Sequence, residues 1–497
     1  MRYMIGVDVG GTFTDLTLVD VASQRVAIHK VLSTPADPSR AIMTGVTELL
    51  AREKVDFTLV DYFGHGTTVA TNALIEKKGS KTGLLVTAGF KDLLEIGRQT
   101  RPALYDLQKE KPVPLVPGHL RKEIPERIYH NGNVRTPMDV DAVKQAAAEL
   151  RSAGVESIAI CFLFSFINPD HEKTALAVVR DLFPDAYVTA SHQVVPEFRE
   201  FARLSTTVLN AYLGPVMRRY LGNLQTSVRQ AGIRQDPYIT QSNGGILSLQ
   251  ESIASPVRTA VSGPSAGVMA AMRIGRLVGL DNLITLDIGG TSADISLIHR
   301  GQPLLSMERT VEGWPIRIPM LDIVTIGAGG GSIAWLDAGG ALKVGPQSAG
   351  ANPGPACYGF GGELPTATDA NVVLGRMNPQ RILGGRMTLK TELAENAIQS
   401  RIAQPTKLSM LDAANGMIDV INANMVRAMR LVSVERGYDP REFTMVAFGG
   451  AGPVHAVALA QELGIPRVLV PHAPVTLCSL GLLVTDIRVD FVRSLPL

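Results

Sequence analysis

Asp8–Val19 reads DVGGTFTDLTLV and Asp287–Ile298 reads DIGGTSADISLI. Six of the twelve positions are identical: Asp8/Asp287, Gly10/Gly289, Gly11/Gly290, Thr12/Thr291, Asp15/Asp294 and Leu18/Leu297. In each copy an apolar run (YMIGV, LITL) meets an aspartate, turns through Gly-Gly-Thr and re-enters an alternating strand. That pattern describes a β-hairpin with glycines in its turn. Its recurrence within one chain implies two halves of related architecture.

The chemistry of the repeat follows from its residue types. A Gly-Gly-Thr turn lets backbone N–H groups approach an anion without Cβ obstruction, and the threonine adds a hydroxyl donor. An aspartate at the end of the preceding strand can hold Mg²⁺ through water or orient a nucleophile. Two such hairpins facing each other would clamp a polyphosphate from both sides; one alone could equally be a plain turn. A third glycine run, Phe448–Pro453 (FGGAGP), follows the strand-like Thr444–Ala447 and precedes a helical segment, Val454–Leu463. A base or ribose could lie flat against that turn, or it could simply join strand to helix. A fourth run, Gly327–Ser332 (GAGGGS), reads either as further phosphate-contacting amides or as a flexible loop.

Elsewhere, Val26–Val31 reads as a third strand and Ser39–Arg52 as an amphipathic helix. Gly64–Glu76 reads as a turn leading into a helix, and Pro102–Gly132 as a surface excursion. Helices are expected over Asp139–Gly154 and Asp170–Leu182, with strands over Gly83–Val86, Ile158–Leu163 and Tyr187–Thr189. A long helical stretch covers Leu204–Gln230, and a last helix and strand fall near Leu477–Val492. Strands alternating with helices argue for an α/β protein. At 497 residues the chain exceeds a single core, given a prior of about 150 residues per domain. The expected division is 1–200 and 201–497, each part carrying one copy of the repeat.

Composition excludes several classes. Lys+Arg number 48 against 46 Asp+Glu, so no basic excess points to nucleic acid. With 45% hydrophobic and 19% charged residues, general disorder is excluded. Cys161, Cys357 and Cys478 are far apart with no CxxC spacing, which suits a reducing cytoplasm better than a disulfide framework. The longest nearly apolar run, Ser157–Ile167, is short of the ~18 residues of a membrane helix, and Met1-Arg2 leads straight into a strand without signal-peptide order.

The paired hairpins and later glycine turn resemble the actin, Hsp70 and sugar-kinase ATPase superfamily. Met4–Asp15, His65–Glu76, Ser262–Val268 (SGPSAGV), Leu286–Asp294, Gly327–Ser332, Asn352–Gly359 (NPGPACYG), Pro365–Arg376 (PTATDANVVLGR) and Phe448–Ala456 (FGGAGPVHA) resemble, in this order, the hydantoinase A/5-oxoprolinase family. The resemblance implies a two-domain, ribonuclease H-like ATPase fold with a nucleotide cleft between the duplicated halves. It implies phosphate loops at Asp8, Gly10, Gly11, Thr12 and Thr14, and at Asp287, Gly289, Gly290, Thr291 and Asp294. Gly449, Gly450 and Gly452 would lie on the adenosine side, with Gly327, Gly329 and Gly330 nearby. Asp8, Asp15, Asp287 and Asp294 are candidate catalytic residues, and Asp8 and Asp287 sit best for Mg²⁺. The helices after Ser262-Gly263-Pro264 and over Leu477–Leu483 correspond to the connecting helices of the superfamily.

The implied activity is ATP-dependent opening of a cyclic amide such as a hydantoin, oxoproline or lactam. A ketone carboxylase subunit is the alternative, and a nucleotide-switched regulatory ATPase the third reading. A B-type partner subunit, and a homo- or hetero-oligomer, are implied in the same way, with no nucleic acid and no membrane. Family members continue beyond the segment matching Gly481–Arg493, whereas this chain stops at Leu497: the remainder is a separate polypeptide, or the chain is a short member or a fragment.

Single residues keep two readings. His65 could face substrate or be a turn histidine; Cys357 could line a pocket or be a buried apolar residue. Asp369 could bind a ligand or be a helix N-cap, and His455 could contact nucleotide or pack in a first turn. His192 and Glu197 have no metal-site spacing.

Overall fold

A computed structural model describes residues 2–11, 13–34, 37–106, 108–380 and 387–494. The chain is mixed α/β with several sheets, and it forms two compact units, each built from separated segments. One comprises the chain up to Gly66, Gly263–Leu304 and Leu321–Thr485; the other comprises Thr67–Ser262, Leu305–Met320 and the chain from Asp486 onward. Both copies of the repeat fall in the first unit.

In that unit Tyr3–Val9 and Phe13–Asp20 form the first antiparallel hairpin, extended on one side by Val26–Leu32 and on the other by the parallel strand Val60–Gly66. Leu283–Ile288 and Ala293–His299 form the second hairpin, with Ile323–Ile326 antiparallel on one side and Thr444–Phe448 parallel on the other. The sequence repeat is therefore a repeat of topology: hairpin, outer antiparallel strand, inner parallel strand. Each parallel strand leads into a helix, Val69–Ile75 after the first and Gly452–Leu463 after the second. His65 and Gly66 end a strand, where the GHGTT sequence suggested a turn. A backbone hydrogen-bonded along Tyr3–Asp8 overrides the local turn preference of glycine.

Two helices tie these sheets together. Ser265–Leu277 packs on the second sheet, where Gly267 sits against Phe448 and Cys478. Leu477–Val484 packs on the first, where a Cβ at Gly6 would overlap the Ser479 carbonyl and the Tyr62 hydroxyl donates to Leu482 O at 2.8 Å. The helices touch so closely that a side chain at Gly481 would overlap the Ala266 carbonyl. Small residues are required where backbones approach to this extent.

The second unit has a four-stranded parallel sheet in the order Tyr187–Ala190, Ser157–Cys161, Thr82–Thr87, Arg121–Ile124. The first three strands are buried along their whole length, as expected of a parallel sheet covered on both faces. Asp139 caps Val140–Ser152 by accepting from Ala142 N at 3.0 Å, and the expected helix Asp170–Leu182 is present. The long helix runs Glu200–Gln230 with Pro215 inside it. Proline removes the amide that would bond the carbonyl four residues earlier; here Ser80 Oγ donates to that carbonyl, Ala211 O, at 3.4 Å, and Ser80 N donates to Tyr212 O at 3.0 Å.

Candidate active site

The register of the two sheets lines up two rows of residues. Across the first, Gly66, Asp8, Asp15 and Lys30 are successive neighbours on four strands. Across the second, Phe448, Asp287, Asp294 and Thr325 occupy the same places. Directly paired residues on adjacent strands point to one face, so each row presents two carboxylates side by side. The rows end differently: Lys30 Nζ donates to Asp15 Oδ1 at 2.6 Å, whereas the Thr325 hydroxyl donates to Asp294 Oδ1 at 2.6 Å.

The carboxylates feel one another. Burial, together with the charges of Asp15 and Asp287, pushes Asp8 up to about 8, against a smaller lowering by Lys30. Burial and the charge of Asp294 push Asp287 up to about 7, while the Cys478 thiol opposes this by donating to Asp287 Oδ2 at 3.4 Å. Asp15 is also raised by burial, with the Lys30 ion pair working against it. Buried like charges favour protonation until a cation arrives. Among the described residues no group of three or more His, Cys, Asp or Glu is arranged to hold a metal on its own. Mg²⁺ does not need one, because it keeps several waters and binds through one or two carboxylates plus phosphate oxygens. The donor chemistry of Asp8 and Asp287 fits such an ion.

Glycines make room for these carboxylates. A Cβ at Gly66 would overlap Asp8 Oδ1, and a Cβ at Gly449 would overlap Asp287 Oδ1. The turns match as well: Gly10 N donates to Phe13 O at 2.9 Å and Gly289 N to Ser292 O at 3.0 Å. The space around Gly11 and Gly450 is open, with nothing within 4 Å of where a side chain would begin. The GAGGGS run buttresses the second turn: Gly330 N and Gly331 N donate to Gly289 O and Gly290 O at 3.0 and 2.7 Å, and Gly329 N donates to Ser332 Oγ. Thr368 secures it from behind through Gly330 O. The FGGAGP turn is anchored likewise, by Ala451 N to Ile288 O and Gly449 N to Pro474 O, both at 3.0 Å.

Thr12 lies outside the described residues. The Thr14 hydroxyl is buried and shares a 3.0 Å hydrogen bond with Ser33, which in turn donates to Gly10 O. His65 is buried, pushed down to about 4 by desolvation, and bonded through Nδ1 to Val7 O. Asp369 is not the N-cap but the third residue of its helix: Thr366 caps, and the Asp369 carboxylate accepts from Thr366, Ala356 N and Cys357 N. Cys357 is fully buried beside it. His455 is buried and held neutral at pH 7, at about 4, with Nδ1 on Asn422 Oδ1 and Nε2 receiving from Asn371. Gly66, Thr325 and Cys478 were not legible as site residues, because their roles depend on contacts between segments distant in sequence. Lys30 could have been found by counting along the two hairpin connections from Asp8.

No helix of the described residues is long and apolar enough to cross a membrane. Comparison with known proteins gives two family matches: hydantoinase/oxoprolinase over residues 203–491, and the hydantoinase/oxoprolinase N-terminal region over residues 4–183. Caprolactamase subunit alpha of Pseudomonas jessenii is 43% identical over 100% of this chain and 72% of its own length. The acetophenone carboxylase gamma subunit of Aromatoleum aromaticum is 35% identical over 97% of this chain and 68% of its own. The crystal structure of the ATP-dependent caprolactamase from Pseudomonas jessenii superposes with a TM-score of 0.86, at 42% identity, covering 97% of this chain and 71% of that one.

Proposed function

The chain belongs to the hydantoinase/oxoprolinase family, and from that premise we propose that it is the ATP-using subunit of an enzyme that opens a cyclic amide. The observation that carries the reading is the double row of carboxylates on two hairpins of the same register, in a chain 43% identical to a caprolactamase subunit. A ring amide has a poor leaving group at neutral pH. Transfer of the γ-phosphoryl group of ATP to the amide oxygen, releasing ADP, activates the carbonyl carbon: water adds there, the ring C–N bond breaks with the nitrogen leaving as the protonated amine, and a second water hydrolyses the resulting acyl phosphate to carboxylate and phosphate. Phosphoryl transfer asks little covalent chemistry of a protein; it asks for positioning and charge compensation.

Each group has a place in this scheme. The open turns at Gly11 and Gly450 admit the phosphates and the nucleoside without Cβ obstruction. Asp8 and Asp287 would hold Mg²⁺, which supplies charge neutralisation to the phosphates when bound. Asp15 and Asp294 lie beside these two carboxylates in the strand register and add negative charge toward the ion. Relatives are named as subunits, which supports a B-type partner that completes hydrolysis. The three free thiols and the use of ATP fit the cytoplasm.

The carboxylase reading rests on the 35% identity to the acetophenone carboxylase subunit, and bicarbonate separates the two. Mg-ATP hydrolysis by the purified chain is measured against hydantoins, 5-oxoproline, lactams and ketones, with and without bicarbonate and a partner subunit. Stimulation by a ring amide without bicarbonate is the expected result. Stimulation only by a ketone with bicarbonate overturns it, and substrate-independent hydrolysis favours a nucleotide switch.

A further inference from the structure

The two rows share their two central carboxylates and differ in charge at the outer end. Gly66–Asp8–Asp15–Lys30 ends in an ammonium, while Phe448–Asp287–Asp294–Thr325 ends in a hydroxyl. Each terminal group holds its neighbouring aspartate at the same distance, 2.6 Å. Holding an aspartate in place therefore does not require a lysine at this position, since a threonine does it in the other half. The lysine adds a positive charge, and that charge reaches beyond its own ion pair to Asp8 and Asp287. Lys30 is itself confined: its side chain is 15% exposed, and Nζ lies 4.8 Å from the centre of the Phe13 ring at the start of the second strand. Water screens an ammonium confined above an aromatic face only weakly.

Resting on the nucleotide reading above, we propose that Lys30 is a polyphosphate-binding residue, the cation that the protein itself supplies to the phosphate chain, and that the first half of the duplicated site is the phosphate-attracting half. A nucleotide triphosphate entering among four carboxylates meets repulsion that one fixed ammonium offsets. Thr325 gives the second half no such charge.

The test compares affinities for ATP, ADP and AMP, measured on the full chain with Mg²⁺ present, for the wild type, Lys30→Met and Lys30→Arg. Lys30→Met is expected to weaken ATP by about tenfold or more, as for loss of a charge-assisted bond, and AMP far less, so that the ATP-to-AMP preference collapses. Lys30→Arg retains the preference. Should Lys30→Met fail to fold, Lys30→Gln keeps a donor toward Asp15 without charge and gives the same contrast. Equal weakening of ATP and AMP would make Lys30 structural only, and unchanged ATP affinity in folded Lys30→Met overturns the proposal outright. A wild-type chain that binds no nucleotide overturns the nucleotide reading itself, and the role of Lys30 with it.

Discussion

The carboxylate of Asp287 occupies the space that a side chain at Gly449 would need, and Gly449 also adopts a left-handed φ of +78°. Gly449→Ala therefore meets two obstacles: a backbone cost of about 1–2 kcal/mol and displacement of Asp287. ATP hydrolysis should fall at least about tenfold while melting drops only moderately. Gly66→Ala should behave alike toward Asp8 without the φ penalty. ATPase assays beside melting curves distinguish the two contributions, and wild-type turnover in Gly449→Ala would separate this glycine from the site.

Asp287→Ala should abolish ATP hydrolysis, by at least about a hundredfold, and leave the fold intact. Removing a buried carboxylate that favours its neutral form relieves rather than creates strain in the unliganded protein. Wild-type hydrolysis in a well-folded variant would remove Asp287 from the phosphate site.

The raised aspartates also fix how stability follows pH. Asp8 and Asp287 titrate near 8 and 7 when folded, against 3.8 for an ordinary aspartate. The folded chain holds these protons where the unfolded chain has already released them. Their contribution is complete below about pH 4 and declines as pH rises through the folded values. Melting of the nucleotide-free protein should therefore fall between pH 5 and pH 8, by about 5 °C or more. Asp8→Asn should flatten the slope and raise the melting temperature at pH 8; an equally steep decline in Asp8→Asn would contradict the assignment.

A different network stabilises the second unit. Fully buried Arg203 donates to Phe162 O at 2.8 Å and to Ser191 Oγ at 2.6 Å, and lies 3.9 Å from the buried Glu172 carboxylate. Burial alone would raise Glu172, yet hydrogen bonds from His192 and Ser191 and the Arg203 charge hold it below its ordinary value. Arg203→Met should cost about 3–5 kcal/mol, because it strands that charge. Urea unfolding measures this, and a shift under about 1 kcal/mol would show the network to be dispensable.

The helix crossing gives a purely steric prediction. With the Ala266 carbonyl in the way of any side chain at position 481, Gly481→Ala should destabilise the protein by about 1–3 kcal/mol. A melting temperature equal to wild type would show that the two helices can slide apart freely.

Much of this architecture was legible in the sequence. Two identical aspartates flanking Gly-Gly-Thr fixed both hairpins, because strand period and turn chemistry are local. The same holds for Asp170–Leu182 and for the Asp139 cap. Partners set by pairing between distant strands were hidden: Thr325 reaches Asp294 only because Ile323–Ile326 joins the hairpin edge. Gly66 looked like part of a turn until a parallel strand claimed it. Cys478 lies 191 residues from the carboxylate it touches, and no periodicity reports such a contact.

The segmented make-up of the first unit governs when it can be completed. The Thr17 hydroxyl meets that of Ser479, 462 residues later, at 2.7 Å. A chain emerging from the ribosome must hold its first hairpin without its covering helix until synthesis has passed Leu477–Val484. The nearly continuous stretch Thr67–Ser262 can collapse much earlier. The carboxylate centre is thus completed only after Thr67–Ser262 has been made, and a chain stalled or cleaved before Leu477–Val484 would leave the first sheet with one apolar face bare to solvent.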